Sequence, residues 1–208
     1  MTSEPNLPNI FMQLQVNSDL LIEIDRLGEK VTISSGNLRN MLFAGFFRNA
    51  RSTFHAIDVL IEKKLYNPAF SLIRVLFENV VRALYMYNEF DDTQLNSDSL
   101  VFSKFEKMCK KLDSIYEDDF FEDIRSRVYG AMCDYTHIGA NQIARNFNKQ
   151  NTTIEANFSD GIILDAMISC NTLLKLFAIV YFEEVGLKQG EITGDEIQKF
   201  HEQYLENK

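Results

Sequence analysis

Apolar residues recur every three or four positions over most of this chain, the period of α-helices with one buried face. From Leu38 to Leu65, Phe43, Phe47, Ala50, Phe54, Ile57 and Ile61 share such a face, and Arg48, Arg51, His55, Asp58 and Glu62 take the opposite, solvent-facing one. The stretch from Pro68 to about Phe90 is apolar nearly all round, which predicts the most buried helix. Asn67 is a favourable N-cap for it, and Pro68 suits its first turn. Upstream, residues 8–27 predict an amphipathic helix with a break near Asn17-Ser18. A linker, VTISSGN, follows, in which Ser35 or Asn37 caps the next helix; KVTIS is a candidate short strand.

Downstream, DDTQLNSD reads as a polar loop, and a shorter helix spans about Ser99 to Leu112. The acidic EDDFFED opens a helix that reaches toward Phe147. After the loop NKQNTTIEANFS comes an apolar helix over 161–185, capped by Ser159 or Asp160 and ended by Gly186. Thr193-x-x-Glu196 is a capping box for a last amphipathic helix. Long helices on short connections predict an all-α fold, an antiparallel bundle of about six or seven helices. At 208 residues the chain reads as one domain over 1–208. Its core is about 38–185, with an N-terminal helix and linker over 1–34 and a C-terminal helix over 194–208.

Composition narrows the function classes. Phe is abundant (17) and Trp absent, so helix contacts are expected to be built from Phe, Leu and Ile. A formal charge of −9 repels duplex DNA and anionic membranes as bulk partners. No apolar run reaches the ~18 residues of a membrane span, the nearest candidate being 162–182. Cys109, Cys133 and Cys170 are odd in number and far apart, which fits reduced thiols in a cytoplasmic protein. No metal site and no cofactor is expected. The chain has no Cys-x-x-Cys, glycine-rich phosphate loop, Gly-x-Ser-x-Gly elbow or His-Glu-x-x-His.

Three polar constellations carry candidate chemistry. Arg74, Glu78 and Arg82, in RVLFENVVR, stand four residues apart and share one face of a greasy helix. They are either that helix's solvent stripe or an internal polar cluster, since charges on a buried helix need partners. In CDYTHIGANQIARNF, Asp134 and His137 are one turn apart if the helix continues, and Asn141 and Arg145 share their face. An Asp beside a His raises its basicity, and such a His serves as a general acid or base, or simply as half of a surface hydrogen bond. In RNARSTFH, Arg48 and His55 are two helical turns apart, either a solvent face or a catalytic pair.

The Arg48-Asn49…His55 spacing resembles the Arg-x4–6-His motif of HEPN-type ribonucleases. That resemblance implies a metal-independent enzyme in which His55 handles the 2′-hydroxyl or leaving oxygen and Arg48 the phosphate. In that family the motif usually lies nearer the C-terminal end of the domain. Separately, SLIRVLFENVVRALYMY, followed by Tyr135, Thr136, His137, Gly139, Gln142 and Arg145, is similar to an uncharacterised family of bacterial all-α proteins grouped with HEPN-like folds. Val75 stands where a Pro is expected and Tyr85 where a Trp is common. This second resemblance covers roughly residues 40–150 and implies no established activity. It does imply that Arg74, Glu78, Arg82 and His137 meet in one site.

Beside a purely structural reading, in which the polar cluster specifies helix register and nothing more, the functional expectations are two. One is a HEPN-like ribonuclease, of the kind found in toxins and phage defence, with Arg74, Glu78, Asp134, His137, Arg48 and His55 as catalytic candidates. The other is a non-enzymatic binding module that uses Arg82, Gln142 and Arg145, with the Arg/Glu/His cluster, for a small anion or partner protein. The expected partners are a second copy of the chain as a homodimer, and RNA or a partner protein.

Overall fold

The computed structural model describes residues 7–34, 36–97, 99–129 and 158–204. Cys133, Asp134, His137, Gln142 and Arg145 lie outside them. The described residues are all-α, with no strand, so KVTIS is irregular chain that leaves the N-terminal helix through a turn rather than a sheet element.

Eight α-helices are present among the described residues: α1 Leu7–Gly28, α2 Leu38–Glu62, α3 Tyr66–Glu89, α4 Asp92–Leu95, α5 Phe105–Tyr116, α6 Phe120–Ile124, α7 Asp160–Tyr181 and α8 Gly194–Tyr204. Helix α6 widens into a π-helical turn over Arg125–Tyr129, and α7 does the same over Phe182–Leu187. Two of the eight, α4 and α6, are only four and five residues long, which is why periodicity passed over α4. In α4 a local capping box does the work: Asp91 accepts from the Gln94 amide, and Gln94 accepts from the Asp91 amide.

Helices α2 and α3 form the most extensive contact among the described residues. The turn between them is short, and Lys64 adopts a left-handed φ of 57° there. Helix α3 folds back along α2, so the start of one lies against the end of the other. Arg39 of α2 donates to the carbonyls of Tyr87 and Phe90, both at 2.7 Å, which satisfies the exposed C-terminal acceptors of α3. Midway, Asn79 Nδ2 donates to Phe46 O at 2.9 Å. Helix α7 packs on α1, α2 and α3 and completes the core. The seam between α2 and α7 is aromatic, as the Phe count predicts: Phe47 stacks on Tyr181 at 4.2 Å and meets Phe177 edge-on at 5.2 Å. Helix α5 covers another side of α3, α6 follows α5, and α8 closes against α7.

Several local expectations are corrected. Helix α1 is unbroken at Asn17-Ser18, because Asn17 turns inward and is fully buried. Asn67 lies inside the first turn of α3, whose N-cap is Leu65, rather than capping it. Helix α5 starts six residues later than Ser99, at Phe105. Asp58 is buried, not on the solvent face, because α1 covers that edge of α2. Asp160–Leu187 is long and apolar enough to cross a membrane by length and composition. Half of its apolar window is packed inside the bundle, however, and Asn171 in its middle bonds to Asn17 of α1. Asn37, Ser159 and the Thr193/Glu196 box cap their helices as the sequence predicts.

Candidate functional site

The polar stripe of α3 borders an open cleft of about 500 Å³ between α2 and α3. Arg74, Val75, Glu78, Asn79 and Arg82 line it from α3, and Phe46, Asn49, Ser52 and Thr53 from α2. At its centre Glu78 accepts three hydrogen bonds. Arg74 Nε donates to Oε1 at 2.7 Å, Tyr129 Oη to Oε1 at 2.6 Å, and Arg82 Nη2 to Oε2 at 3.0 Å. The Arg74 guanidinium also lies over the Tyr129 ring, 5.3 Å from its centroid.

Both sequence readings of this stripe are partly met. Arg74 and Glu78 have side chains only about one-fifth exposed, while Arg82 is 45% exposed. The stripe is thus neither a plain solvent face nor a dry internal network, but the floor and rim of a cleft. Burial pushes the Glu78 carboxyl up, but the Tyr129 and Arg74 hydrogen bonds and the charges of Arg74 and Arg82 more than reverse this. The carboxyl is held below its ordinary value. Glu78 is therefore a fixed anion that orients two guanidinium groups, and is poorly placed to act as a base. Arg82 spends one hydrogen bond on it and lies over Phe102, which leaves its other N–H groups without a hydrogen-bond partner among the described residues. Two cations and one anion leave the cleft with surplus positive charge in a chain whose net charge is −9.

Tyr129 is the residue that sequence reasoning missed here. It comes from the π-helical turn after α6, and its ring stacks on Phe105 at 4.7 Å and meets Phe77 edge-on at 6.2 Å. No regular helical spacing ties residue 129 to residue 78; the path of the chain through α5 and α6 brings them together. Asn49, which the sequence places only in the Arg48-Asn49…His55 resemblance, lines the cleft together with Ser52 and Thr53, which no sequence pattern singles out.

Arg48 and His55 are both exposed on α2. Neither lines the Arg74–Glu78–Arg82 cleft, and the structure does not join the pair in one cavity. His55 instead borders a groove between α1 and α2, beside Arg51 and Asp58, and Arg48 makes no hydrogen bond or ion pair among the described residues. A larger cavity, about 720 Å³, lies by the start of α2 and the end of α3. Its charged groups are spent on each other: Arg39 on backbone carbonyls and Asp92, Glu184 on the Tyr87 hydroxyl and Lys188. No group of three or more His, Cys, Asp or Glu among the described residues is placed to hold a metal. Burial pushes the Cys109 thiol up to about 12 and Cys170 higher still, so neither is a poised nucleophile.

The fold and the cleft define an all-helical protein with a polar, cation-rimmed groove between its two most closely packed helices. The model of a family of unknown function, DUF5677, matches residues 40–125, which take in most of α2, all of α3 to α6 and the Arg74–Glu78–Arg82 stripe. No curated protein matches. No solved structure matches.

Proposed function

We propose that this protein is a binding module whose α2–α3 cleft recognises an anionic group, with phosphate the best chemical fit. The observation that carries this reading is the way Glu78 holds both Arg74 and Arg82 along one cleft wall while Arg82 stays 45% exposed there. Guanidinium groups match the planar, multi-acceptor geometry of phosphate and carboxylate, and pre-orienting them lowers the entropy lost on binding. Asn49, Ser52 and Thr53 supply neutral donors on the facing wall. The test is calorimetric titration of the full chain with pyrophosphate, beside Arg82→Gln. A hydrogen bond to a charged group contributes about 1.5–3 kcal/mol, so loss of Arg82 weakens binding roughly tenfold or more. Equal binding by wild type and R82Q, or no heat at millimolar pyrophosphate, refutes the proposal.

A second reading, the HEPN-like ribonuclease, is favoured by one observation. Tyr129, which bonds Glu78, precedes His137 by only eight positions in the chain. In this reading the anion is an RNA phosphodiester, Arg74 and Arg82 hold it, and His137, oriented by Asp134, moves the proton. Gln142 and Arg145 extend the binding surface, and a homodimer supplies a second copy of the site. Incubation of total RNA with wild type, His137→Ala and His55→Ala separates the readings. Cleavage lost only with H137A places an enzyme at this cleft, and loss only with H55A points to the Arg48/His55 pair. An RNA left intact by wild type leaves the binding module.

A further inference from the structure

On the opposite edge of α2, a groove of about 540 Å³ opens against α1. Its walls are apolar, with Phe11 and Ile22 of α1 well exposed and Val59 of α2 beside them. Its polar groups are mainly acceptors. Asp25 is spent on Arg51, which it binds through both oxygens, and Glu62 pairs with Lys63, but Asp58 remains, with Gln15, Ser18 and His55 nearby.

Asp58 is the informative residue. It is 9% exposed, an unusual place for a carboxyl group. One oxygen is built into the core: Asn17 Nδ2 donates to Asp58 Oδ1 at 2.7 Å, and Asn171 Nδ2 of α7 donates to Asn17 Oδ1 at 2.8 Å. Gln13 Nε2 donates to the same Asn17 oxygen at 2.9 Å. The relay fixes the carboxyl from behind. Its other oxygen, Oδ2, has no hydrogen-bond partner among the described residues, and the residue lines the groove. A buried carboxylate with one unpartnered oxygen, under apolar walls and an exposed aromatic ring, is complementary to an organic cation.

We propose that the α1–α2 groove binds an alkylammonium or guanidinium group, its charge seated on Asp58 Oδ2 and its apolar stem along Leu14, Ile22 and Val59. The cation supplies the counter-charge that the buried carboxyl lacks, and Phe11 offers a ring face at the mouth of the groove. Burial also pushes the Asp58 carboxyl up to about 7, with the Asn17 hydrogen bond pulling the other way. The seat is therefore charged above neutral pH and filled by a proton below it. The other titratable or charged groups that face or back Asp58 are Asp25 of α1, Arg51, His55 and Glu62 of α2, and Cys170 of α7.

The test uses the full chain with n-hexylamine, protonated at neutral pH, and hexanoate as a probe of equal apolar length and opposite charge. Saturable binding of hexylammonium but not hexanoate is expected, strengthening roughly tenfold between pH 6 and pH 8 as Asp58 ionises. Asp58→Asn keeps an oxygen for Asn17 and so preserves the relay; it is expected to reduce binding at pH 8 at least tenfold and to flatten the pH profile. Hexanoate binding as well as hexylammonium, or D58N binding like wild type while melting normally, overturns the proposal. The same cation can be a free amine or a lysine of a partner protein, and a short lysine–leucine peptide separates the two. Binding tenfold tighter than hexylammonium, and lost in D58N, assigns the partner's lysine; binding no tighter assigns the free amine.

Discussion

Asp58→Asn should make the protein more stable, and by an amount that depends on pH. The Asp58 carboxyl is pushed up by burial to about 7, against 3.8 for a free side chain. Its folded-state value is raised, so the stability linked to this group is fully present below pH 3.8 and is lost as pH rises through 7. Over that window the folded protein holds a proton that the unfolded chain has released, and each pH unit lowers stability by about 1.4 kcal/mol. Full ionisation thus costs up to roughly 4 kcal/mol, and roughly 2 where water entering the groove solvates Oδ2. The asparagine variant keeps the Asn17 hydrogen bond through Oδ1 and carries no charge. Urea unfolding of both proteins at pH 4, 6 and 8.5 should give equal stabilities at pH 4. At pH 8.5 the variant should lead by about 2–4 kcal/mol. A variant that is less stable at pH 8.5, or a difference that does not change with pH, refutes the assignment of Asp58 as a buried group without a counter-charge. A stability gain accompanied by loss of hexylammonium binding is the expected signature of a residue kept for function at the expense of stability.

Other expectations follow from the cleft and the core. Tyr129→Phe removes the hydroxyl that donates to Glu78 at 2.6 Å and should cost about 1.5–3 kcal/mol, measured by urea unfolding at pH 7. Because the Glu78 carboxyl is held below its ordinary value of 4.5, its contribution is present above that value and fades as pH falls through the lower folded-state value. The gap between Tyr129→Phe and wild type should therefore shrink in acid. Phe77→Ala empties a fully buried site packed against Phe105 and Tyr129 and should cost about 3–5 kcal/mol in the same assay. Asp113 accepts from the amides of Phe121 at 2.8 Å and Glu122 at 2.9 Å, capping α6 from the end of α5. Asp113→Ala should lower stability by about 1–2 kcal/mol and speed hydrogen exchange at those two amides; unchanged exchange would show that α6 has another cap.

The sequence by itself determined the long helices, most of the apolar face each one buries, and the chemistry of two local devices. These are the properties that a 3.6-residue period and short-range hydrogen bonds settle within one element. The spacing of Arg74, Glu78 and Arg82 specifies their ion pairs, because side chains four residues apart on a helix are neighbours whatever surrounds them. The Thr193/Glu196 box forms for the same reason. Only the tertiary structure decided what covers each face. Asp58 shares a stripe with Arg48 and His55, yet α1 lies over it and not over them, which turns a surface carboxyl into a buried one. Asn17 resembles a helix breaker until Asp58 and Asn171, 41 and 154 residues away, bond to it and hold it inside an unbroken α1. Tyr129 joins Glu78 across 51 residues because α5, α6 and a π-helical turn route the chain back to α3. Periodicity says which residues look the same way. Which neighbour they look at depends on how long-range packing shares out limited apolar surface among several helices, and no local pattern encodes that.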